Sequence, residues 1–179
     1  MANPDQEKWD QRYLENNAQP KACSVLEENL HLLPKTGKAL DLACGLGGNA
    51  ILLAKQGLET EAWDISPVAI EKLNERAKGL SLSTKVVDIT PDLLPAHHFD
   101  AIVVSYFLER GLALAIINSL KPNGLLFYQT FNLNTSGHRP SNPAYRLAKN
   151  ELLHLFGQLR IYYYSELNIE GTTMLVAQN

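Results

Sequence analysis

Asp41-Leu42-Ala43-Cys44-Gly45-Leu46-Gly47-Gly48-Asn49, followed by an apolar helical run and then by Glu61-Ala62-Trp63-Asp64-Ile65-Ser66, decides how this chain folds. An apolar strand over Lys38 to Ala43 enters a glycine turn, the turn opens a helix over Gly48 to Gln56, and Gly57 stops that helix. A second strand, Leu58 to Asp64, then closes on an acidic residue about twenty positions after the turn, the arrangement of nucleoside-binding βαβ units. Gly45 and Gly47 lack a Cβ, so the backbone there can turn tightly and approach a ligand. The Asp64 carboxylate has the acceptor capacity to hold both hydroxyls of a ribose.

The alternation continues outward from this unit. Ser66-Pro67 supplies an N-cap and a first-turn proline for a helix whose inward stripe is Ala69, Ile70, Leu73 and Ala77 and whose stop is Gly79. Ser83 to Asp88 reads as a third strand, Phe99 to Val104 as a fourth, and Leu108 to Leu120 as an apolar helix leading into the turn Lys121-Pro122-Asn123-Gly124. Leu125 to Thr130 is the fifth strand, and Phe131 to Pro143 is a polar loop. A short helix over Asn150 to Phe156 follows. Leu159 to Ser165 and Thr172 to Ala177 are strands joined by a segment with no room for a helix, so they must pair antiparallel. Ahead of the first strand, Asp5 to Asn16 and Ser24 to Leu33 form a helical cover, with Trp9 and Tyr13 one turn apart on one face.

Composition narrows the function. With 179 residues, 45% hydrophobic and 20% charged, the chain reads as one α/β domain, residues 1–36 being the helical cover and 37–179 the core. Sixteen Lys and Arg against nineteen Asp and Glu give a charge of −3 with no basic run, which argues against a nucleic-acid partner. The polar N-terminus and the lack of a long apolar stretch point to a cytoplasmic protein without a membrane partner. Cys23 and Cys44 have no metal-type spacing and read as free thiols.

Asp41, just before the glycines, bears on which nucleoside is bound. A dinucleotide would bring two phosphates to this turn, where a carboxylate repels them. S-adenosylmethionine brings an ammonium and a sulfonium, for which a carboxylate is the right partner. Gly45 to Ala50 also satisfies the relaxed Gly-x-Gly-x-x-Ala fingerprint, so a small NAD-dependent reductase stays open as an alternative.

These residues resemble class I S-adenosylmethionine-dependent methyltransferases, and the resemblance spans nearly the whole chain. It implies a Rossmann-like, seven-stranded, mostly parallel sheet of order 3-2-1-4-5-7-6 with an antiparallel last strand and helices on both faces. Trp9-Asp10-Gln11-Arg12-Tyr13, Ala39 to Gly45, Ala62-Trp63-Asp64, Asn142-Pro143-Ala144-Tyr145 and Glu151 to Phe156 are similar to the tellurite-resistance and thiopurine-type group of small-molecule methyltransferases. The resemblance implies that Asp41, Ala43, Gly45 and Gly47 hold the methionyl part, that Asp64 with Ile65 holds the ribose, and that Asp88 with the Ile89 backbone meets the adenine. Ser105 would lie below the methionyl end. The family's first motif glycine is Ala43 here, and an arginine that often follows the last glycine is Gly48.

An acceptor pocket is expected around Trp9, Tyr13, Tyr106, His138, Arg139 and Arg146, which fall on the cover or on loops after strands four and five. Each carboxylate also has a structural reading. Asp64 can cap the helix that starts near Ser66, Asp41 can bond backbone amides at a strand end, and Asp88 can cap the turn at Pro91. Trp9 and Tyr13 can be ordinary packing aromatics. Ser105-Tyr106-Phe107-Leu108 lacks the Pro-Pro-aromatic pattern of base-methylating enzymes, and Ser105 supplies no carboxylate for a magnesium site, so no metal is expected. Methyl transfer is an in-line displacement with a good leaving group, so no dedicated nucleophile is required. The expectation is methyl transfer to a small acceptor, such as a chalcogen oxyanion or thiol, by a monomer or weak homodimer. A non-catalytic module that binds S-adenosylmethionine is the other reading.

Overall fold

The computed structural model describes residues 3–16, 18–133, 140–166 and 171–179. The strands are β1 Lys38–Leu42, β2 Glu59–Asp64, β3 Leu82–Val86, β4 Phe99–Ser105, β5 Leu120–Phe131, β6 Arg160–Ser165 and β7 Thr172–Gln178. They form one sheet of order β3-β2-β1-β4-β5-β7-β6, as the resemblance implied. The pairs from β3 through β5 are parallel, and β7 runs antiparallel to both β5 and β6. The helices are α1 Pro4–Glu15, α2 Ser24–Glu28, α3 Gly48–Lys55, α4 Pro67–Arg76, α5 Ala113–Ser119 and α6 Glu151–Leu155.

Period-2 alternation sends neighbouring side chains to opposite faces of the sheet. Leu40, Leu42, Ile102, Val104, Leu126 and Tyr128 pack with residues of α5 and α6 on one face. Ala39, Ala101, Val103, Leu125 and Phe127 pack on the other, under Val25 and Leu26 of α2 and Leu53 of α3. Phe99, Phe127 and Phe156 are fully buried, each worth roughly 1.5–3 kcal/mol of transfer free energy. Among the described residues no helix is long and apolar enough to cross a membrane.

Several boundaries differ from those read in the sequence. The third strand stops at Val86, two residues early, so Asp88 and Ile89 stand beyond its end. The helix read over Leu108 to Leu120 is a 3-10 turn, Arg110–Leu112, followed by the shorter α5. The fifth strand starts at Leu120, because Leu120 pairs with Phe99 before the register jumps to Ala101 opposite Leu125. The turn signal at Lys121 to Gly124 thus marks a bulge inside the strand, where Asn123 takes φ 66°. Strand order reverses between β1 and β4, so a crevice opens at their carboxyl ends, where open α/β sheets bind ligands.

Candidate cofactor and acceptor site

The turn after β1 is a run of left-handed backbone: Ala43 has φ 56°, Gly45 φ 52° and Gly47 φ 82°. Ala43 keeps the glycine conformation despite its methyl, at a strain cost of about 1–2 kcal/mol. A Cβ on Gly45 would lie 2.7 Å from the Tyr13 hydroxyl, and one on Gly47 would lie 2.2 Å from Leu73. Gly48 has a different reason: its Cβ would meet the Lys21 carbonyl oxygen at 2.1 Å, so the segment before α2 rests directly on the start of α3. The resulting crevice, about 220 Å³, is lined by Tyr13, Ala43 to Asn49, Ser105 and Tyr106, with Lys21 and Cys23 from the N-terminal segment.

Asp41 does not line that crevice; it is fully buried behind the turn. Its carboxylate accepts from the Ala50 N–H at 2.9 Å and from Asn49 Nδ2 at 3.3 Å. Asn49 is the hub of this arrangement, a residue the sequence reading passed over. Its Nδ2 also donates to Ser105 Oγ at 2.9 Å, and its Oδ1 accepts from the Cys23 N–H at 2.9 Å. One amide therefore joins β1, β4 and the N-terminal cover. Burial pushes the Asp41 carboxyl up to about 7, against the hydrogen bonds from Asn49 and Ala50 that lower it, and Asp64 adds to the rise. Burial likewise pushes the Cys44 thiol well above its ordinary value and the Cys23 thiol to about 12, so neither is an activated nucleophile.

Asp64 ends β2 with its oxygens engaged: Oδ2 accepts from the Gly45 N–H at 2.8 Å and Oδ1 from the Ser66 N–H at 2.9 Å. The cap of α4 is Ser66, whose hydroxyl accepts from the Ala69 N–H, so Asp64 does not cap the helix itself but ties the glycine turn to the residue that does. Burial raises its pKa, opposed by these two hydrogen bonds. No cation pairs with Asp41 or Asp64 among the described residues. Ile65 is half-buried next to Asp64, and Ile89 packs on the core below the β3 end.

Helix α1 crosses above these positions. Asn3, which caps α1, donates from Nδ2 to Asp88 Oδ2 at 2.9 Å. Asp10 accepts from the Ser66 hydroxyl. Lys72 of α4 donates to the α1 carbonyls of Tyr13 at 2.6 Å and to Asn16 O at 3.1 Å, capping the helix from outside. Trp9 stacks on Tyr13, with ring centroids 5.7 Å apart, and burial raises the Tyr13 phenol.

Tyr106 follows β4 with φ 54°, which for a bulky side chain is a strained conformation. Its ring lies 5.1 Å from that of Phe131, and Gln129 Nε2 donates to its hydroxyl at 3.3 Å. Gln129, buried on β5, also accepts from the Val25 N–H at 2.8 Å, so the cover, β5 and Tyr106 share one amide. A Gln inside an apolar strand was the available signal for it. Arg146 donates from Nε to Pro140 O at 2.7 Å. Arg110 holds the same segment, donating to Ala144 O at 2.8 Å, to Arg146 O at 3.2 Å and to Glu151 Oε2 at 3.1 Å. His138 and Arg139, placed in the acceptor pocket from sequence, lie outside the described residues.

The glycine turn, the acid ending β2 and the strand order together define the architecture against which known proteins compare. A family model described as a methyltransferase domain matches residues 13–170. The chain belongs to the methyltransferase domain family. It is 34% identical over 107 residues to the ubiquinone biosynthesis O-methyltransferase of Histophilus somni (strain 2336), covering 53% of this chain and 45% of that protein. It is 35% identical over 89 residues to the probable S-adenosyl-L-methionine-dependent methyltransferase TehB of Haemophilus influenzae, covering 47% of this chain and 31% of that protein. The chain thus spans less than half the length of these curated relatives. The crystal structure of TehB from Haemophilus influenzae superposes with TM-score 0.74 at 21% identity over 96% of this chain and 67% of that one. Geranyl diphosphate C-methyltransferase from Streptomyces coelicolor A3(2), in complex with Mg2+, geranyl diphosphate and S-adenosyl-L-homocysteine, gives TM-score 0.73 at 14% identity over 99% of each chain. The methyltransferase family implied by the motifs is therefore met, the chain is similar to TehB in sequence, and the two structures share the fold.

Proposed function

We propose that this methyltransferase domain binds S-adenosylmethionine at the glycine turn and transfers its methyl group to a small molecule, residues 1–36 serving as the cover of a single domain. The observation that carries the reading is the pair of buried carboxyls, Asp41 behind the turn and Asp64 beneath it, with no cation paired to either among the described residues. A cation in the crevice favours the ionised form of both groups, whereas a pyrophosphate opposes it, so the pair suits a cationic nucleoside. When bound, S-adenosylmethionine supplies an electrophilic methyl on a sulfonium leaving group.

The residues present fit that ligand. Gly45 and Gly47 keep the turn open where a Cβ would collide. Asp41 acts through its field on the methionyl end from behind the turn. Each Asp64 oxygen already accepts one backbone N–H and keeps a second lone pair for a ribose hydroxyl. Asp88 would meet the adenine amino group in exchange for Asn3, with Ile65 and Ile89 flanking the base. Ser105, held by Asn49, bounds the methionyl end. Trp9, Tyr13, Tyr106 and Arg146 surround the acceptor. The chain's task is to align the acceptor and exclude water, a contribution that reaches about 7–11 kcal/mol for well-oriented reactants. A chalcogen oxyanion or a thiol suits a site whose described crevice carries no activated base.

Calorimetric titration tests the donor assignment. S-adenosylhomocysteine should bind, NADH should not, and labelled-methyl transfer should appear in a panel of tellurite, selenite, thiols and thiopurines. Binding of NADH in place of S-adenosylhomocysteine overturns the reading, and donor binding with a silent panel favours the non-catalytic module.

A further inference from the structure

We infer that the mouth of the site binds a planar organic anion, an aromatic carboxylate, received between α1 and the turn at Pro143–Tyr145 by Lys8 and Arg12 working with Trp9 and Tyr145. The inference concerns binding at this mouth and stands apart from which atom accepts the methyl group. Lys8 Nζ lies 5.7 Å from the Trp9 ring centroid and 5.7 Å from that of Tyr145, so α1 and the Pro143–Tyr145 turn meet at this lysine. Arg12 Cζ lies 5.0 Å from the same Trp9 ring centroid. Lys8 and Arg12 lie one helical turn apart at i and i+4, and Trp9, between them in sequence, leads through its stack on Tyr13 to the glycine turn. Lys21 lines the crevice, and Arg146 follows Tyr145.

These cations stand out against a chain whose formal charge is −3. The ion pairs among the described residues are Lys38–Glu59, His98–Glu61, Arg110–Glu151 and Lys121–Asp100, and none uses Lys8, Arg12, Lys21 or Arg146. The acids of α1 are directed elsewhere. Asp10 is bonded to Ser66, Glu15 to Gln11, and Asp5 and Glu7 occupy the first turn, where the helix dipole favours them. What remains at the mouth is positive charge held against ring faces, with Tyr145 46% and Tyr106 45% exposed. An aromatic carboxylate satisfies both features at once, its ring against the exposed Tyr145 and its carboxylate on Lys8 and Arg12. A neutral aromatic would leave the cations without a partner, and a small inorganic oxyanion would leave the rings uncovered.

The test is a titration with 2-naphthoate and its neutral twin 2-naphthamide, each with and without saturating S-adenosylhomocysteine, read by calorimetry. Naphthoate should bind at least tenfold more tightly than naphthamide. The double variant Lys8→Ala/Arg12→Ala should bring the two within threefold while S-adenosylhomocysteine affinity stays unchanged, and Lys55→Ala, at the far end of α3, should leave the preference intact. Equal affinities in the native protein overturn the inference, as does a preference that survives the double variant. Failure of S-adenosylhomocysteine to bind the native protein counts against the donor reading alone, because the naphthoate comparison is read without it as well.

Discussion

Burial raises the Asp41 carboxyl from its ordinary 3.8 to about 7, so this residue makes the folded protein sensitive to pH. A carboxyl whose pKa rises on folding stabilises the native state below its ordinary value, and that contribution is lost as pH climbs through the folded value. Between pH 4 and 8 the ligand-free protein therefore accumulates a penalty from Asp41 on the order of 4 kcal/mol, at about 1.4 kcal/mol per unit. Asp41→Asn cannot titrate, and its stability in urea melts should decline less between pH 5 and pH 8 than that of the native protein; parallel declines would show that Asp41 is not the source. The places of Asp41, Gly45, Gly47 and Asp64 at the strand ends and in the turn were legible because each residue type has few uses there in a strand-turn-helix. Asn49 was not, since its partners at Asp41, Ser105 and Cys23 are set by tertiary packing and no local spacing announces them. Gly48 read as a missing arginine until the Lys21 carbonyl explained why a side chain is excluded there.

At the scale of elements, α1 has no fully buried residue, so beside the half-buried Trp9 and Tyr13 its position draws on polar contacts at its two ends and its middle. Lys72 is the strongest of these by count, since its ammonium reaches the Tyr13, Leu14 and Asn16 carbonyls at 2.6, 3.5 and 3.1 Å. Lys72→Met keeps the aliphatic stem and removes the cap. Hydrogen exchange of the α1 amides should then rise about tenfold while global stability falls by no more than about 1 kcal/mol, in line with loss of one exposed charged cap. Unchanged α1 exchange would show that the helix is held by its other contacts, those of Asn3, Trp9, Asp10 and Tyr13. The existence of the helices and strands was readable from periodicity and from caps such as Ser66, whose side chain accepts from the Ala69 N–H. Their ends were less so. Leu120 belongs to a strand because Phe99 pairs with it from across the sheet, and the apolar run over Leu108 to Leu120 carries no trace of that partner.

Across the whole molecule, a ligand that binds only the folded state adds its binding free energy to stability. S-adenosylhomocysteine at a hundred times its dissociation constant should add about 2.7 kcal/mol, which for a chain of this size raises the melting temperature by about 5–10 °C. An unmoved transition in a thermal melt would count against the donor site. The sheet order also constrains assembly in time. During synthesis β6 emerges before β7, yet β6 joins the sheet through β7, which itself lies against β5. Until the stretch from Thr172 has left the ribosome, the outer edge of β5 and the segment destined to be β6 are both without neighbours. The half of the sheet from β3 to β4 can meanwhile be complete. Chaperones and proteases in the cell would therefore meet this protein first as a finished parallel half attached to an open edge, and a ribosome stalled before Thr172 would leave that edge open to other chains.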